Sequence, residues 1–222
     1  MQFVFFFEII HRINTIRMNL RQHWEKIYNN KQLNQVSWYQ PTPAISLQFT
    51  EQLNISRHAR IIDIGGGDSL LVDHLLLLGY DNITVLDISE AAINRAKLRL
   101  GKNADKVKWV ISDVTEFNLA EQYDFWHDRA AFHFLTTKKQ VAAYLAVAQK
   151  HIAPSGKMVI GTFSTDGPEK CSGLPVKQYN ENNLTGLLRK YFKKIRCIST
   201  DHLTPFNTIQ NFLFCSFQKV TI

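Results

Sequence analysis

The segment IIDIGGGDS at Ile61–Ser69 decides how this sequence folds. It joins an apolar run over Ala59–Ile64, three consecutive glycines and a helical apolar pattern over Ser69–Leu78. Glycine adopts backbone angles that other residues avoid, so a strand can turn sharply into a helix here and a ligand can approach the main chain. Ligands of open α/β sheets bind at such strand ends. The segment therefore predicts the ligand-binding edge of a sheet, and the alternative is a tight turn without a ligand.

Further short apolar runs alternate with helical patterns along the chain. They predict strands at Asn82–Asp87, Val107–Ile111, Tyr123–Trp126, Lys157–Phe163 and, approximately, Ile195–Thr200 and Asn211–Gln218. Continuous apolar strands separated by helices indicate a parallel sheet covered on both faces. The last two strands have no room for a crossover helix between them, so we expect them to be antiparallel. The predicted fold class is α/β, a Rossmann-like doubly wound sheet preceded by an N-terminal helical arm.

The composition excludes several broad classes of protein. The chain has 222 residues, of which 45% are hydrophobic, so it can bury a substantial core and is not intrinsically disordered. Its net charge of +7 indicates weak attraction for anions and does not by itself indicate nucleic-acid binding. No stretch approaches the roughly 20 apolar residues of a membrane helix. Residues 1–17 are interpreted as an N-terminal extension of uncertain role.

The three cysteines, Cys171, Cys197 and Cys215, are odd in number and have no CxxC spacing. They predict neither a disulfide framework nor a cysteine zinc site. A reducing cytosol is the simplest compartment for such a chain, so a cytoplasmic location is predicted. The His and Asp residues match no known metal motif, and no metal is predicted.

The carboxylates around the glycines favour a cationic ligand. A dinucleotide site would have its third glycine where Leu70 stands, and it would seat a pyrophosphate on the free amides at the start of the next helix. Asp68 lies at that start and Asp63 lies just before the glycines, so both would repel phosphate. S-adenosylmethionine carries a sulfonium and an ammonium but no phosphate, and it is the predicted cofactor. A nicotinamide-dependent oxidoreductase is the alternative.

Two further acids follow the next predicted strands. Asp87 stands 20 positions after Gly67 and would accept hydrogen bonds from both ribose hydroxyls. Asp113 follows the third strand and would accept a hydrogen bond from the adenine amino group. An acid at position 87 also fits NAD, so it identifies a ribose without choosing between the two cofactors. The alternatives are a helix-entry carboxylate for Asp87 and a turn residue for Asp113.

Four elements in order resemble a known family. The stretches DIGGGDS (Asp63–Ser69), VLDIS (Val85–Ser89) and SDV (Ser112–Val114), with the final reversed hairpin, resemble class I S-adenosylmethionine-dependent methyltransferases from about residue 18 onward. The resemblance implies a seven-stranded sheet with an antiparallel last strand, a helical arm over 18–58 and the methyltransferase domain over 59–222. It implies cofactor contacts from Asp63, Gly65, Gly66, Gly67, Ser69, Asp87, Ile88, Asp113 and Val114. The chain departs from the family at Ser69, where glycine is more frequent.

The predicted arm contains the stretch HWEKIYNNKQLNQVSWYQ, which is similar to one in a group of protein-lysine methyltransferases. In that group a Trp-Tyr pair lies near the methionine end of the cofactor. The resemblance implies that Trp38 and Tyr39 cover the sulfonium, since aromatic faces stabilise cations. The alternative is that the arm aromatics only pack against the edge of the sheet.

An unusual group of polar residues follows the fourth predicted strand. We expect His127 to contact the cofactor and Asp128, Arg129 or His133 to orient or deprotonate the methyl acceptor. The alternative is a structural Asp128–Arg129 pair with histidines that cap the next turn.

The same segment limits the acceptor. Enzymes that methylate bases or glutamine carry Asn/Asp-Pro-Pro-Tyr/Phe at this place, whereas WHDRAA has no proline, which argues against DNA-adenine methylation. The predicted function is methyl transfer to an unidentified small molecule or protein side chain. A non-catalytic module that binds S-adenosylmethionine is a further alternative, and the sequence makes no prediction of oligomeric state.

Overall fold

The structure is a computed structural model that describes residues 20–220. The predicted extension at 1–17 lies outside the described residues. The strands in chain order are β1 (Ile61–Ile64), β2 (Ile83–Asp87), β3 (Val107–Ile111), β4 (Tyr123–Arg129), β5 (Ile152–Phe163), β6 (Lys170–Cys171), β7 (Leu174–Pro175), β8 (Phe192–Leu203) and β9 (Ile209–Lys219). The helices are α1 (20–30), α2 (Ala44–Gln52), α3 (Leu71–Leu77), α4 (Glu90–Leu100), α5 (Lys138–His151) and α6 (Glu181–Leu188).

Seven strands form one sheet in the order β3-β2-β1-β4-β5-β9-β8, and β6 with β7 forms a separate small hairpin. The first five strands of that order are parallel. Strand β9 lies between β5 and β8 and is antiparallel to both. The predicted seven-stranded, doubly wound sheet with an antiparallel last strand is therefore confirmed. Its switch point lies between β1 and β4, where the chain order reverses and where such sheets bind ligands.

The central strands of the sheet are buried on both faces because helices cover each side, whereas the edge strand β8 is largely exposed. Strands β1 and β2 consist entirely of buried residues, as their apolar sequences require. Side chains alternate between two hydrophobic cores, so Ile62 and Trp126 pack with α5 and α6 while Ile61 and Phe125 pack with α2 and α3. Strand β3 is at the edge and is partly exposed.

Strand β4 is longer than the apolar pattern predicts, and this difference affects the site. The sequence predicts a strand that ends at Trp126, whereas β4 continues through Arg129. The extra residues pair with β1 on one side and β5 on the other, since His127 lies opposite Asp63 and Arg129 lies opposite Gly161. The polar side chains of His127 and Asp128 are tolerated in this buried strand because each is hydrogen-bonded. His127, Asp128 and Arg129 thus belong to the sheet, whereas His133 lies in the 3₁₀ turn Phe132–Phe134 that follows.

The cysteine prediction is wrong for two of the three residues. Cys197 on β8 and Cys215 on β9 lie directly opposite one another and form a disulfide, and Cys171 is free and buried. The pairing depends on the register of the hairpin, which no cysteine spacing reveals. The premise of the cytoplasmic location therefore does not hold, and the location stays a prediction. None of the helices within residues 20–220 is long and apolar enough to cross a membrane.

Candidate functional site

The glycine turn packs directly on strand-end carboxylates. Gly65 and Gly67 have positive φ angles of 64° and 25°, which favour glycine. A methyl group on Gly66 would overlap Oδ2 of Asp63, and one on Gly67 would overlap Oδ2 of Asp87. The glycines are therefore required because the turn lies against these two acids.

Asp87 is almost fully enclosed at this edge, with 4% of its surface exposed. Its Oδ1 accepts a hydrogen bond of 2.8 Å from the N–H of Ser89, which caps α4. Burial raises the pKa of Asp87 to about 7, because the charged form loses water, and the nearby charge of Asp63 adds to this effect. A ligand that offers two O–H donors, such as a ribose diol, would compensate for the burial of this carboxylate.

Asp63 is held by a histidine from the neighbouring strand. Nδ1 of His127 lies 2.7 Å from Oδ1 of Asp63, and its Nε2 lies 2.9 Å from Oγ of Ser46 on α2. A carboxylate only accepts, so Nδ1 carries a proton that it donates to Asp63, while Nε2 pairs with the hydroxyl of Ser46. His127 therefore sets the position of Asp63. Ser46 is a functional residue that sequence reasoning missed, since a serine within an ordinary amphipathic helix carries no signal.

The Asp68 carboxylate is paired with two arginines, whereas the sequence analysis treated it as an unpaired negative charge. Nη2 of Arg95 lies 2.8 Å from its Oδ2, and Nη1 of Arg99 contacts its Oδ1. Both arginines project from α4, so two cations compensate one buried carboxylate. The repulsion of phosphate by Asp68 is therefore a wrong premise, and only the missing third glycine and Asp63 still argue against a pyrophosphate at this turn. Ser69, in place of the usual glycine, accepts a hydrogen bond from the N–H of Leu71, the first residue of α3.

The end of β3 lies beside the end of β2. The N–H of Ser112 donates to the backbone oxygen of Asp87 at 2.9 Å, which brings Asp113 and Val114 to the same edge. Oδ1 of Asp113 accepts from both the N–H and the hydroxyl of Thr115, each at 2.8 Å. This is the turn role that the sequence left open for Asp113. Its contact with adenine stays a prediction.

Helix α1 lies across the strand ends and is tied to α4. The carboxylate of Glu25 accepts hydrogen bonds from the N–H groups of Glu90 at 2.6 Å and Ala91 at 3.0 Å, at the positive end of α4. Nη1 of Arg95 donates to the backbone oxygens of Tyr28 and Lys31. Sequence reasoning missed Glu25 and Arg95, because they matter only where α1 crosses α4. Arg21 adds a hydrogen bond to the backbone oxygen of Ile88.

A small cavity, here called the strand-end cavity, lies between the arm and the ends of β1 and β4. Its lining comprises Tyr28, Leu33, Val36, Trp38, Tyr39, Gln40, Pro43, Asp63, Gly65, Gly66, Asp68, Ser69, Leu70, His127 and Arg129. Eight predicted site residues are therefore brought together there. The other predicted residues do not line it, namely Gly67, Asp87, Ile88, Asp113, Val114, Asp128 and His133. The first five of these continue along the sheet edge toward β3.

The arm aromatics both pack and line the cavity. The ring of Trp38 lies 5.7 Å from that of Trp24 and 6.2 Å from that of Tyr28, measured between centroids. Trp24 also contacts Phe134 at 5.1 Å. The packing alternative is therefore correct for Trp24, while Trp38, Tyr39 and Tyr28 also face the cavity. Burial and the charges of Asp87 and Asp68 raise the pKa of the Tyr28 phenol.

Asp128 and Arg129 project to opposite faces of the sheet, because side chains alternate along β4. Asp128 is fully buried on the α5 side, where it accepts hydrogen bonds from the N–H groups of Ala131 and Phe132 and from the hydroxyl of Tyr144. Burial raises its pKa to about 6, opposed by these hydrogen bonds. No Asp128–Arg129 ion pair forms, so that alternative is wrong. Asp128 instead holds the turn that follows β4.

Arg129 faces the cavity side of the sheet. Its Nη1 donates to the backbone oxygen of Trp38 at 3.0 Å, and its Cζ lies 5.0 Å from the ring centroid of Phe212. Nη2 is buried and has no hydrogen-bond partner among the described residues. Burial lowers the pKa of Arg129 to about 10, which leaves it positively charged at neutral pH.

His133 is buried beside the end of β5. Its Nδ1 accepts the N–H of Phe163 at 3.3 Å, and its ring lies 4.5 Å from that of Phe163. Burial and the charge of Arg129 lower its pKa to about 3, so the ring is neutral. The histidine therefore supports the loop after β4. Within residues 20–220, no group of three or more His, Cys, Asp and Glu side chains is arranged to hold a metal ion.

The chain resembles known proteins in both sequence and fold. Residues 61–156 match the family described as "Methyltransferase domain". The chain is 35% identical over 105 residues to malonyl-(acyl-carrier protein) O-methyltransferase of Anoxybacillus flavithermus, which covers 46% of this chain and 38% of that protein. It is 25% identical over 173 residues to ubiquinone biosynthesis O-methyltransferase of Rickettsia bellii, which covers 78% of this chain and 60% of that protein.

Among solved structures, the fold resembles 1,6-didemethyltoxoflavin-N1-methyltransferase of Burkholderia thailandensis, crystallised with 1,6-didemethyltoxoflavin and S-adenosylhomocysteine. The TM-score is 0.70 at 18% identity, with 95% of this chain and 90% of that chain covered. At this identity the likeness shows the fold alone. The chain spans less than two thirds of the length of the curated relatives described above.

Proposed function

Because this chain carries a class I S-adenosylmethionine-dependent methyltransferase domain, we propose that it transfers a methyl group from S-adenosylmethionine to a small molecule or a protein side chain. The observation that carries this proposal is the buried Asp87 carboxylate beneath the glycine turn, at the end of the strand next to β1. A carboxylate in that place needs a partner with hydroxyl donors, and the matched family supplies one in the cofactor ribose.

The residues of the sheet edge fit such a ligand. Asp87 would accept the two ribose hydroxyls, with Ile88 beside it, while Asp113 and Val114 would receive the adenine. The turn from Gly65 to Gly67, with Ser69, would lie against the methionine portion. The ammonium of that portion would be near Asp63, which His127 holds in place.

Asp87 is almost fully enclosed, so we infer that the arm moves when a ribose enters. Glu25 accepts hydrogen bonds from the N–H groups of α4, and Arg95 donates to the end of α1. These bonds are exposed or half-buried, so they are the contacts that we expect to break and reform. Closure of α1 would then exclude water and bring Trp38 and Tyr39 over the sulfonium.

When bound, S-adenosylmethionine supplies a methyl group on a positively charged sulfur with a neutral leaving group. The chain's own residues then have to align the acceptor and keep water out. Arg129 is the residue that we assign to contact with the acceptor, since it alone of the three predicted catalytic residues lines the strand-end cavity. Asp128 and His133 would act by holding the turn after β4.

Calorimetry with S-adenosylhomocysteine tests the cofactor site. The wild-type chain should bind it, and Asp87→Ala should weaken binding by about 100-fold, because a charge-assisted bidentate contact is lost. Asp105→Ala is the matched control, since Asp105 is an exposed acid in the 3₁₀ helix before β3. Absence of binding by the wild-type chain, or equal binding by Asp87→Ala, would overturn the assignment.

Two alternatives are decided by further measurements. A nicotinamide-dependent oxidoreductase would be stabilised against heat by NAD and not by S-adenosylhomocysteine. A non-catalytic binding module would bind S-adenosylhomocysteine but transfer no labelled methyl group into a cell extract separated into protein, nucleic-acid and metabolite fractions. We expect label in the protein or metabolite fraction.

A further inference from the structure

Arg129 is a half-buried cation that makes no ion pair within residues 20–220, and its Nη2 atom is fully buried. One of its terminal nitrogens donates to a backbone oxygen, and the other, Nη2, is buried with no partner. Asp128 cannot compensate it, because that carboxylate projects to the other face of the sheet. The charge of Asp63 favours the charged form of Arg129 through space, but the two make no ion pair, and Oδ1 of Asp63 accepts from His127. A guanidinium in such surroundings is costly unless an anion pairs with it, and its planar fork fits a carboxylate.

The guanidinium lies on the acceptor side of the cavity. It reaches from β4 toward Phe212 on β9, which lies two strands away from β4 in the direction opposite to β1. The glycine turn, by contrast, follows β1. Arg129 lines the same cavity as Gly65 and Gly66, but its guanidinium is directed toward β9 and away from the glycine turn, so we assign its anion to the acceptor and not to the methionine portion of the cofactor.

Described histidines on this side cannot remove a proton. The Nδ1 lone pair of His133 is used by the N–H of Phe163, so the neutral ring carries its proton on Nε2 and only donates there. His127 is engaged at both nitrogens. His202 is likewise occupied, since Nε2 donates to the backbone oxygen of Ser37 and Nδ1 faces Gln40.

Two further groups near this side, Asp128 and Cys171, are also unsuited to act as a base. Asp128 is buried and already accepts three hydrogen bonds. Burial raises the pKa of the Cys171 thiol to about 11, so it stays protonated at neutral pH. An amine or hydroxyl acceptor would have to lose a proton, and none of these histidines, Asp128 or Cys171 is free to take it. An acceptor that is already an anion needs none.

We propose that the methyl acceptor of this site is a carboxylate, held by Arg129 and methylated as the anion to give a methyl ester. This inference rests on the proposed function. A lone pair of the carboxylate oxygen forms the new C–O bond with the methyl carbon while the C–S bond breaks. The electrons of that bond stay on sulfur, which becomes a neutral thioether, and no proton moves. The acceptor loses its negative charge, so the product pairs with Arg129 less strongly than the substrate does.

The linkage of the transferred methyl group tests the proposal. The full chain is incubated with labelled S-adenosylmethionine and a cell extract, and the labelled products are treated with mild alkali. Esters release labelled methanol, whereas methylated amines and ethers keep their label. We expect most of the label to be released as methanol. Label that withstands alkali would overturn the carboxylate inference and leave the proposed function intact.

Substitution of Arg129 separates the acceptor role from a cofactor role. Arg129→Met should reduce ester formation about 100-fold while S-adenosylhomocysteine affinity stays within about threefold of wild type. Arg129→Lys keeps the charge but not the fork and should lose about tenfold. Arg189→Met, at an exposed position after α6, is the matched control and should have no effect. Equal loss of S-adenosylhomocysteine binding in Arg129→Met would assign the arginine to the cofactor and overturn the inference.

If no label is transferred, a binding measurement still tests whether the site prefers a carboxylate. The thermal midpoint of the S-adenosylhomocysteine complex is measured with acetate, malonate, benzoate and octanoate, each against its neutral amide. At least one carboxylate should raise the midpoint more than its amide does, and Arg129→Met should abolish that difference. No label and no preference for any of these carboxylates would together overturn the proposal. Failure of the wild-type chain to bind S-adenosylhomocysteine would instead reject the proposed function.

Discussion

Asp63 and His127 form a buried hydrogen bond between neighbouring strands, with 2.7 Å separating the carboxylate Oδ1 from the imidazole Nδ1. Their side chains are only 4% and 3% exposed. The bond exists because the register of β1 and β4 places the two residues opposite one another. It connects the strand before the glycine turn with the strand that carries Arg129. The hydrogen-bonded pair of Asp63 and His127 thus joins the proposed cofactor side of the site to the proposed acceptor side.

Loss of the imidazole should disturb Asp63. His127→Leu leaves a buried carboxylate without its donor, so we expect the free energy of unfolding to fall by about 3 kcal/mol and S-adenosylhomocysteine affinity to fall by about tenfold. His127→Asn keeps an N–H donor toward Asp63 and should lose much less. His58→Leu, which removes an exposed pair with Asp81, is the control and should cost under about 1 kcal/mol. Chemical denaturation and calorimetry measure these effects, and wild-type behaviour of His127→Leu would contradict the positioning role.

Asp87 should make the free protein less stable as pH rises. Its folded pKa of about 7 exceeds the unfolded value, so the folded state binds the proton more tightly. The free energy of unfolding therefore falls between about pH 4 and pH 7. Asparagine does not titrate, so the free energy of unfolding of Asp87→Asn lacks this pH dependence. Relative to that of wild type, it should rise by on the order of 2 kcal/mol between about pH 5 and pH 8. Denaturation without ligand at the two pH values measures the difference, and a constant difference would show that the Asp87 pKa is not raised.

Asp128 should prove structural. Asp128→Ala removes three hydrogen bonds from buried groups and should lower the free energy of unfolding by about 3 kcal/mol. Asp128→Asn keeps an acceptor oxygen for the two N–H groups, and the Tyr144 hydroxyl can turn to accept from the new amide. Methyl transfer into an extract should then stay within about threefold of wild type. A stable Asp128→Asn protein without transfer would instead restore a catalytic role for this carboxylate.

Glu25 should control how readily the arm opens. Glu25→Ala removes two hydrogen bonds between α1 and α4, so the closed position of the arm loses about 1–2 kcal/mol. S-adenosylhomocysteine should then dissociate several-fold faster, which stopped-flow competition measures. Glu51→Ala, at an exposed acid on α2, is the control. Unchanged dissociation in Glu25→Ala would mean that opening of α1 does not limit release.

The disulfide should stabilise the β8–β9 hairpin. It joins residues separated by 18 positions, and closing a loop of that size stabilises a protein by about 3 kcal/mol. Adding reductant, or replacing both Cys197 and Cys215 by serine, should lower the thermal midpoint. Cys171→Ser leaves the disulfide intact, so it should not lower the midpoint by breaking that bond. Thiol counting after unfolding should find one free thiol without reductant and three with it. Three free thiols in the untreated protein would show that the disulfide does not form.

The features that the sequence predicted correctly are local ones. The strand before the glycines, the glycine turn and the capping Ser89 depend on residues within a few positions of one another. The alternation of apolar runs with helical patterns likewise predicted the sheet and its reversed last strand. Burial of an apolar run and the conformational freedom of glycine act on short segments, so a short segment is enough to reveal them.

The tertiary structure decided which polar groups meet. Asp68 is compensated by Arg95 and Arg99 from another helix, and Cys197 meets Cys215 through the hairpin register. The extent of β4 determines that Asp128 faces α5 while Arg129 faces the cavity. The sequence by itself thus determined the fold and its ligand-binding edge, because secondary structure and burial follow local patterns. Charge compensation and strand register join residues far apart in the chain, and only the folded structure could assign them.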